Sequence, residues 1–440
     1  MSNPLSRCSF LRAAAVVAIG AALTACGSAP QPGHATGHAS SADSSAAVPV
    51  GWVTLTTEHL VHAEKLSPPA GSRLIAYTTI ALYEAVSAAE PGAESLAGGL
   101  TGTPAMPAVD PALHLDADVT AAAAARGVVT GLLGPDAAAD TRAAIDALYT
   151  DQRDQAAAGT SDGMLQASAA HGERVAAAIL DWAESDGSTG RSAPYELPSG
   201  PGLWELAPPA PAPVEPQWGT LRTFALDTAQ QVRAVAPPAY SAEPDSEFAA
   251  QARRVHDASR ALTDEQRASA RFWAVGPAVR WMTIATGQVQ EHDLGLTDAT
   301  QALALTGIAV ADAAIASWAA KYDYTVMRPV TYIQRHIDPA WSPLLPTPGH
   351  PEFPAGHSAS AAAAATVLTT LFGNVPLTAR DVTGTEPDRR HPSFDAAATE
   401  TAISRLYAGV HYPMGLDAGT DQGRRIGQLV LERLGQPVQR

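Results

Sequence analysis

The sequence predicts an all-α protein, and three observations carry that prediction. Apolar residues recur at helical spacing: Ile75, Leu82 and Val86 fall at i, i+7 and i+11 on one face. Helix punctuation is frequent, with a capping box at Thr263-Asp264-Glu265-Gln266 and a stop at Gly134-Pro135. Strand-like alternation of β-branched residues does not recur. At 440 residues the chain has room for one large domain or two fused helical halves.

Taken in order, the chain opens on an export signal at 1–26. Arg7 and Arg12 supply its charged start, and the apolar run 13–23 is too short for a transmembrane helix. Leu23-Thr24-Ala25-Cys26 before Gly27 resembles the bacterial lipobox, in which the Cys is lipidated. Cys8 and Cys26 are the two cysteines, so removal of one and lipidation of the other leaves no disulfide. The expectation is an exported protein, held to the extracytoplasmic membrane face by a lipid. After residue 26 no uncharged stretch of 18 residues reads as leucine-rich enough to span.

Residues 27–49, rich in Gly, Ser, Ala, Pro and His, read as a flexible tether. His34 and His38 lie four apart there, without further ligands nearby. An N-terminal helical region follows at 50–243, with helices expected over 73–89, from about 119 to 134, over 136–149 and over 165–184. Residues 185–243 break the pattern with prolines from Pro208 to Pro238; a connection this long is functional or wraps the surface. The C-terminal region, 244–440, resumes with the capping-box helix. Asp298, with Gln301 three residues on, is expected to open a longer helix running to about 321. Further helices are expected over 357–372, stopped by Gly373, over 395–408 and over about 416–434.

Composition narrows function. With 46% hydrophobic and 16% charged residues the chain is not intrinsically disordered. A net charge of −16 argues against a nucleic-acid partner, which needs a basic footprint. The charge is uneven: residues 301–440 carry 11 Lys and Arg against 12 Asp and Glu, so the acidic excess lies before them. Lys321 is one of only two lysines.

Three patterns organise that last third. Lys321 and Arg328-Pro329 place two cations seven apart; if one helix carries both, they share a face. Phe353-Pro354-Ala355-Gly356-His357 leads into a helix, whose first N–H groups suit an anion while Gly356 lets it approach. Ser404-Arg405 on a helix, Gly409 breaking it and His411 just beyond form the third.

Together, in this order, they resemble the signature shared by vanadium-dependent haloperoxidases and type 2 phosphatidic-acid phosphatases: Lys-x6-Arg-Pro, then Pro-Ser-Gly-His, then Ser-Arg-x3-Gly-x-His. The match runs over about 321–417, and Trp318 agrees with the haloperoxidase branch. The resemblance implies the helical bundle of that superfamily and a site for a tetrahedral oxyanion, vanadate or phosphate. It implies that Lys321, Arg328 and Arg405 neutralise the oxyanion, and that the Gly356 N–H adds a donor.

For a haloperoxidase it implies His411 as the vanadium ligand, Lys321 polarising hydrogen peroxide, His357 as acid–base group and halide oxidised for an organic acceptor. For a phosphatase it implies a phosphohistidine at His411 and protonation of the leaving alcohol of a phosphate ester by His357. His350, seven residues before His357, resembles the bromoperoxidase pattern and is the candidate for halide selection. His336 and His391 read as structural or exposed.

Two departures stand out. Ala355 replaces the motif Ser, losing a donor worth about 2–4 kcal/mol by analogy with oxyanion holes, with Ser358 or a water the candidates for partial compensation. Gly415 stands where the phosphatases have an Asp orienting the nucleophilic His, and Asp417 lies two residues further on. Three functions remain open: haloperoxidase, favoured; soluble phosphatase; and a non-catalytic anion-binding lipoprotein.

Overall fold

The computed structural model describes residues 46–189 and 194–435. The export signal, Cys26, His34, His38 and the tether up to residue 45 lie outside the described residues.

The expected tether overreaches at its end. Helix α1 (Ala47–Thr54) buries Val48, Pro49, Trp52 and Val53, so residues 47–49 belong to the folded part. A π-helical turn (Leu55–Leu60) and α2 (Val61–Ala63) lead to α3 (Pro68–Ala89), which starts at a Ser67 cap with Pro at its first position. Then come α4 (Ala117–Leu133), α5 (Ala139–Ala157) and α6 (Asp162–Glu184). After the Pro-rich connection follow α7 (Glu247–Arg260), α8 (Asp264–Phe272) and α9 (Pro277–Glu291). The capping box at Thr263 and Gln266 forms with both bonds.

The central helix is α10 (Leu296–Tyr324). Its N-cap is Gly295 rather than the expected Asp298, which sits in the first turn where a negative charge favours the helix dipole. It is long and apolar enough to cross a membrane by length and composition, although Asp312 interrupts it, and 94% of that window is buried within the protein. α3, α9, α12 and α14 surround it, which is why it is apolar on all faces. α10 stops at Thr325, which adopts φ 47°. A new helix, α11 (Pro329–His336), begins after it with Arg328 as its cap. Lys321 and Arg328 therefore do not share one helix, and the premise that a continuous helix aligns them fails.

The chain closes with α12 (Gly356–Phe372), a two-stranded antiparallel ribbon of β1 (Leu377–Ala379) and β2 (Arg389–His391), α13 (Phe394–Tyr407) and α14 (Pro413–Leu434). α14 lies directly on the α12 backbone. A Cβ on Gly423 would come within 2.1 Å of Ala359 O, and one on Gly419 within 2.4 Å of Ala355 O. This close approach fixes the start of α12, where the candidate site lies.

The Pro-rich connection runs partly through the core, burying Trp204, Trp218 and Phe224, and its described part is pinned to α10. Asp312, fully buried, accepts the N–H groups of Phe224, Ala225 and Leu226 at 2.7, 2.8 and 3.2 Å. Val214 O accepts from Trp318 Nε1 and Tyr322 OH. The main apolar core runs from Val48 to Leu434 and mixes residues from both sides of the connection. A second core, with Phe248, Tyr332, Phe353 and Tyr412, supports the loop before α12.

Candidate active site

Each of the three motifs delivers its residues to one place. A cleft open to solvent is lined by His350, Gly356, His357, Arg405 and His411. The rest of its lining is largely apolar: Pro68 and Pro69 from α3, Pro277 and Ala278 from α9, and Val310, Ala314 and Trp318 from α10.

His411 follows Gly409, whose φ of 78° ends α13 as the sequence suggested. Its Nδ1 lies 2.8 Å from Glu352 Oε1, and the Tyr412 N–H donates to the same oxygen at 3.0 Å. Its Nε2 lies 3.3 Å from Arg328 Nη1. Burial, then the nearby Arg328 and Lys321, hold His411 well below the usual imidazole value, so the ring is neutral. A neutral ring donating Nδ1–H to Glu352 keeps its Nε2 lone pair for a ligand.

Arg405, in the last turn of α13, donates Nη2 to Ala270 O at 2.6 Å and Nε to Ser404 Oγ at 3.1 Å. Nη1 takes no protein acceptor among the described residues. Burial lowers its guanidinium to about 9, leaving it charged at neutral pH. His357 stands at the second position of α12 with Nε2 3.3 Å from Val275 O. Burial, then Arg405, pushes it down to about 3. Ala355, the α12 cap, has no side-chain bond to the first turn. The leading N–H groups of α12 thus keep their electropositive character.

Lys321 and Arg328 are completely buried directly behind the cleft. Lys321 Nζ donates to the carbonyls of Pro351, Glu352 and Pro354 at 3.1, 3.0 and 2.5 Å. All three of its protons are thereby committed to the loop before α12, so it shapes that loop rather than facing the cleft as expected. Burial, then Arg328, holds its ammonium well below the usual lysine value. Arg328 donates Nε to His350 O, Nη1 to Val410 O and Nη2 to His350 Nδ1, at 2.9, 2.7 and 2.9 Å. His350 is thus part of the cleft wall, its ring centroid 4.9 Å from that of Trp318.

The candidate substitute donor is not there. Ser358 is buried with an unpartnered Oγ, lies against Gly419 of α14 and does not line the cleft. Asp417 is exposed. His336 is an exposed partner of Tyr240 OH, and His391 is buried 3.6 Å from Glu400, both away from the cleft. The residue that sequence reasoning missed is Glu352. Burial pushes its carboxyl up to about 7, while Arg328, Lys321 and the Tyr412 N–H pull it down. A signal existed: a lone acid inside an apolar Pro-Glu-Phe-Pro segment, in a chain lacking the acid expected at 415.

This donor set suits an oxyanion. Among the described residues no three His, Cys, Asp or Glu side chains converge as a cation site. The cleft instead offers one neutral imidazole nitrogen, the Arg405 guanidinium and a helix N-terminus.

A family model described as the VCPO second helical-bundle domain matches residues 301–440. A crystal structure of a bacterial vanadium-dependent iodoperoxidase is 32% identical, covering 90% of this chain and 98% of its own, with a TM-score of 0.82. The holo form of a bacterial vanadium-dependent chloroperoxidase is 17% identical over 88% of this chain and 97% of its own, TM-score 0.69. Its apo form is 16% identical over 84% and 94%, TM-score 0.65. These last two establish the fold alone. No curated protein matches. The iodoperoxidase likeness over nearly the whole of both chains, with the three motifs meeting at or behind one cleft, makes this chain a member of the vanadium-dependent haloperoxidase family.

Proposed function

We propose that the protein is a vanadate-dependent haloperoxidase, oxidising halide with hydrogen peroxide for a small organic acceptor. The observation that carries this is His411: a neutral imidazole, held by Glu352 at Nδ1, with Nε2 left as a donor atom beside buried cations. His411 would hold vanadate, with Arg405 and the Gly356 N–H balancing its oxygens. Bound vanadate supplies Lewis-acid activation of peroxide toward attack by halide. His357, with Nε2–H on Val275 O, keeps Nδ1 as a proton acceptor. The prolines make one part of the cleft lining apolar.

The halide follows from the donors. With Lys321 committed to carbonyls and Ala355 lacking a hydroxyl, fewer donors stabilise the transition state. Readily oxidised halides, bromide and iodide, are therefore expected ahead of chloride. His350 in the cleft wall is the candidate for that selection.

One observation favours a second reading. Glu352 gives His411 the carboxylate partner that a phosphohistidine mechanism needs, which the sequence lacked at 415. Protein freed of vanadate and then reconstituted is the test. Bromination of monochlorodimedone with peroxide and bromide should appear only with vanadate. Phosphate release from p-nitrophenyl phosphate without bromination would make it a phosphatase. Vanadate binding with neither activity would leave the anion-binding lipoprotein.

We propose further that the chain is exported and lipid-anchored at Cys26, on the strength of the lipobox-like sequence. Membrane fractions of cells expressing full-length protein should retain it, whereas Cys26→Ser should move it to the soluble fraction. Equal retention of both would exclude lipidation at this residue.

A further inference from the structure

Position 415, four residues after His411, is a glycine facing Glu352. A Cβ there would fall 2.3 Å from Glu352 Oε1 and 2.9 Å from its Cδ. The first turn of α14 therefore has no side chain at 415 because a carboxylate from another segment fills that volume. The Glu352 backbone is held on both sides: its N–H donates to Val326 O at 2.9 Å, and its carbonyl accepts from Lys321 Nζ at 3.0 Å. The side chain is fully buried. A buried carboxylate is costly unless its lone pairs are met; here Oε1 is met by His411 Nδ1–H and the Tyr412 N–H, while Oε2 has no hydrogen-bond partner among the described residues.

Those contacts have a chemical consequence. A neutral imidazole carries one proton, and the partner of one nitrogen decides where it sits. Oε1 of Glu352 already accepts the Tyr412 N–H, so it faces the imidazole as an acceptor and keeps the proton on Nδ1. Nε2 is then an acceptor, which agrees with the guanidinium donor Arg328 Nη1 at 3.3 Å.

We propose that Glu352 is the positioning residue of this site: it locks His411 as the Nδ1–H tautomer and aims Nε2 at the anion. We infer also that Glu352 and a carboxylate at 415 are alternative ways of meeting one requirement, mutually exclusive by volume. The proposal rests on the oxyanion reading of the cleft only for its consequence on affinity. The tautomer itself is a property of the protein without vanadate.

The test compares wild type, Glu352→Ala, Gly415→Asp and the double variant Glu352→Ala/Gly415→Asp. Nitrogen-15 histidine labelling of the vanadate-free full chain reports the tautomer of His411, assigned by its loss in His411→Ala. Ultrafiltration with orthovanadate reports affinity. Glu352→Ala should lose the Nδ1–H preference and bind vanadate about 10–100-fold more weakly, as loss of an outer partner does. Gly415→Asp alone should lower the melting temperature, because the added side chain meets Glu352. The double variant should recover the tautomer and most of the affinity, which a loss of general packing would not allow. Should Glu352→Ala misfold, Glu352→Gln keeps the volume and an acceptor oxygen, and it should retain the Nδ1–H tautomer.

An unchanged tautomer and affinity in Glu352→Ala overturns the positioning role. A double variant no better than Glu352→Ala, or a Gly415→Asp protein as stable as wild type, overturns the exchange. Wild type that shows the expected tautomer shifts but never binds vanadate upholds Glu352 and sinks the oxyanion reading instead.

Discussion

Replacing His411 with alanine is expected to abolish vanadate binding and, with it, bromide oxidation. Loss of an outer partner of a metal ligand costs about 10–100-fold in affinity. Loss of the ligand itself should exceed that, to roughly 1000-fold or more, equivalent to about 4 kcal/mol. Arg405 and the start of α12 would remain, so weak non-specific oxyanion binding is the expected residue. Direct ultrafiltration with vanadate, read beside activity, measures both.

The substitution also affects folding, because Glu352 keeps only the Tyr412 N–H. An underpaired buried carboxylate destabilises by about 1–3 kcal/mol or more. Adding Glu352→Gln removes that charge and should restore the melting temperature but not the affinity. A stable His411→Ala protein with wild-type vanadate affinity would remove His411 from the site.

The largest stability effect is expected at Asp312, which does not line the cleft. Its two oxygens accept three backbone N–H groups of residues 224–226, and this joins the Pro-rich connection to the central helix. Asp312→Ala strands those donors in a fully buried position. Each unmet donor costs about 1–3 kcal/mol, so a loss on the order of 4 kcal/mol is expected in urea unfolding, partly relieved if the connection shifts. Burial pushes the Asp312 carboxyl up to about 7, against the three N–H donors. A folded-state value above the unfolded one makes its contribution greatest below about pH 4 and smaller as pH rises through 7. The gap between wild type and Asp312→Ala should therefore narrow from pH 5 to pH 8. A substitution costing less than about 1 kcal/mol would show that the connection is held by its apolar contacts instead.

Much of the bundle is legible locally. Caps, glycine stops and apolar spacing place α3, α4, α6, α8, α12, α13 and α14 within a few residues, because these signals act over one or two turns. α10 is harder to delimit. It is apolar on every face, so periodicity cannot show where it starts, and Gly295 caps it without a side-chain bond. The start of α1 reads as tether because Ala47, Val48 and Pro49 resemble linker residues until Trp52 is buried. α7 carries a Ser246 cap and α11 a proline at its first position, local cues that the motif-centred reading passed over.

The candidate site divides in the same way. Motif spacing along one chain was enough to nominate Lys321, Arg328, Gly356, His357, Arg405 and His411, and all six meet at or behind one cleft. Which of them face the anion is not a property of spacing. Lys321 turns its protons to three carbonyls because the loop before α12 passes over the end of α10, and His350 occupies Arg328 from the same loop.

By itself, then, the sequence determined the helical class and the residues of the oxyanion motifs, since both depend on neighbours within a turn or a short loop. Only the tertiary structure decided that the acid holding His411 is Glu352. The two are 59 positions apart, joined because α14 carries no side chain at 415 and the loop before α12 fills the space.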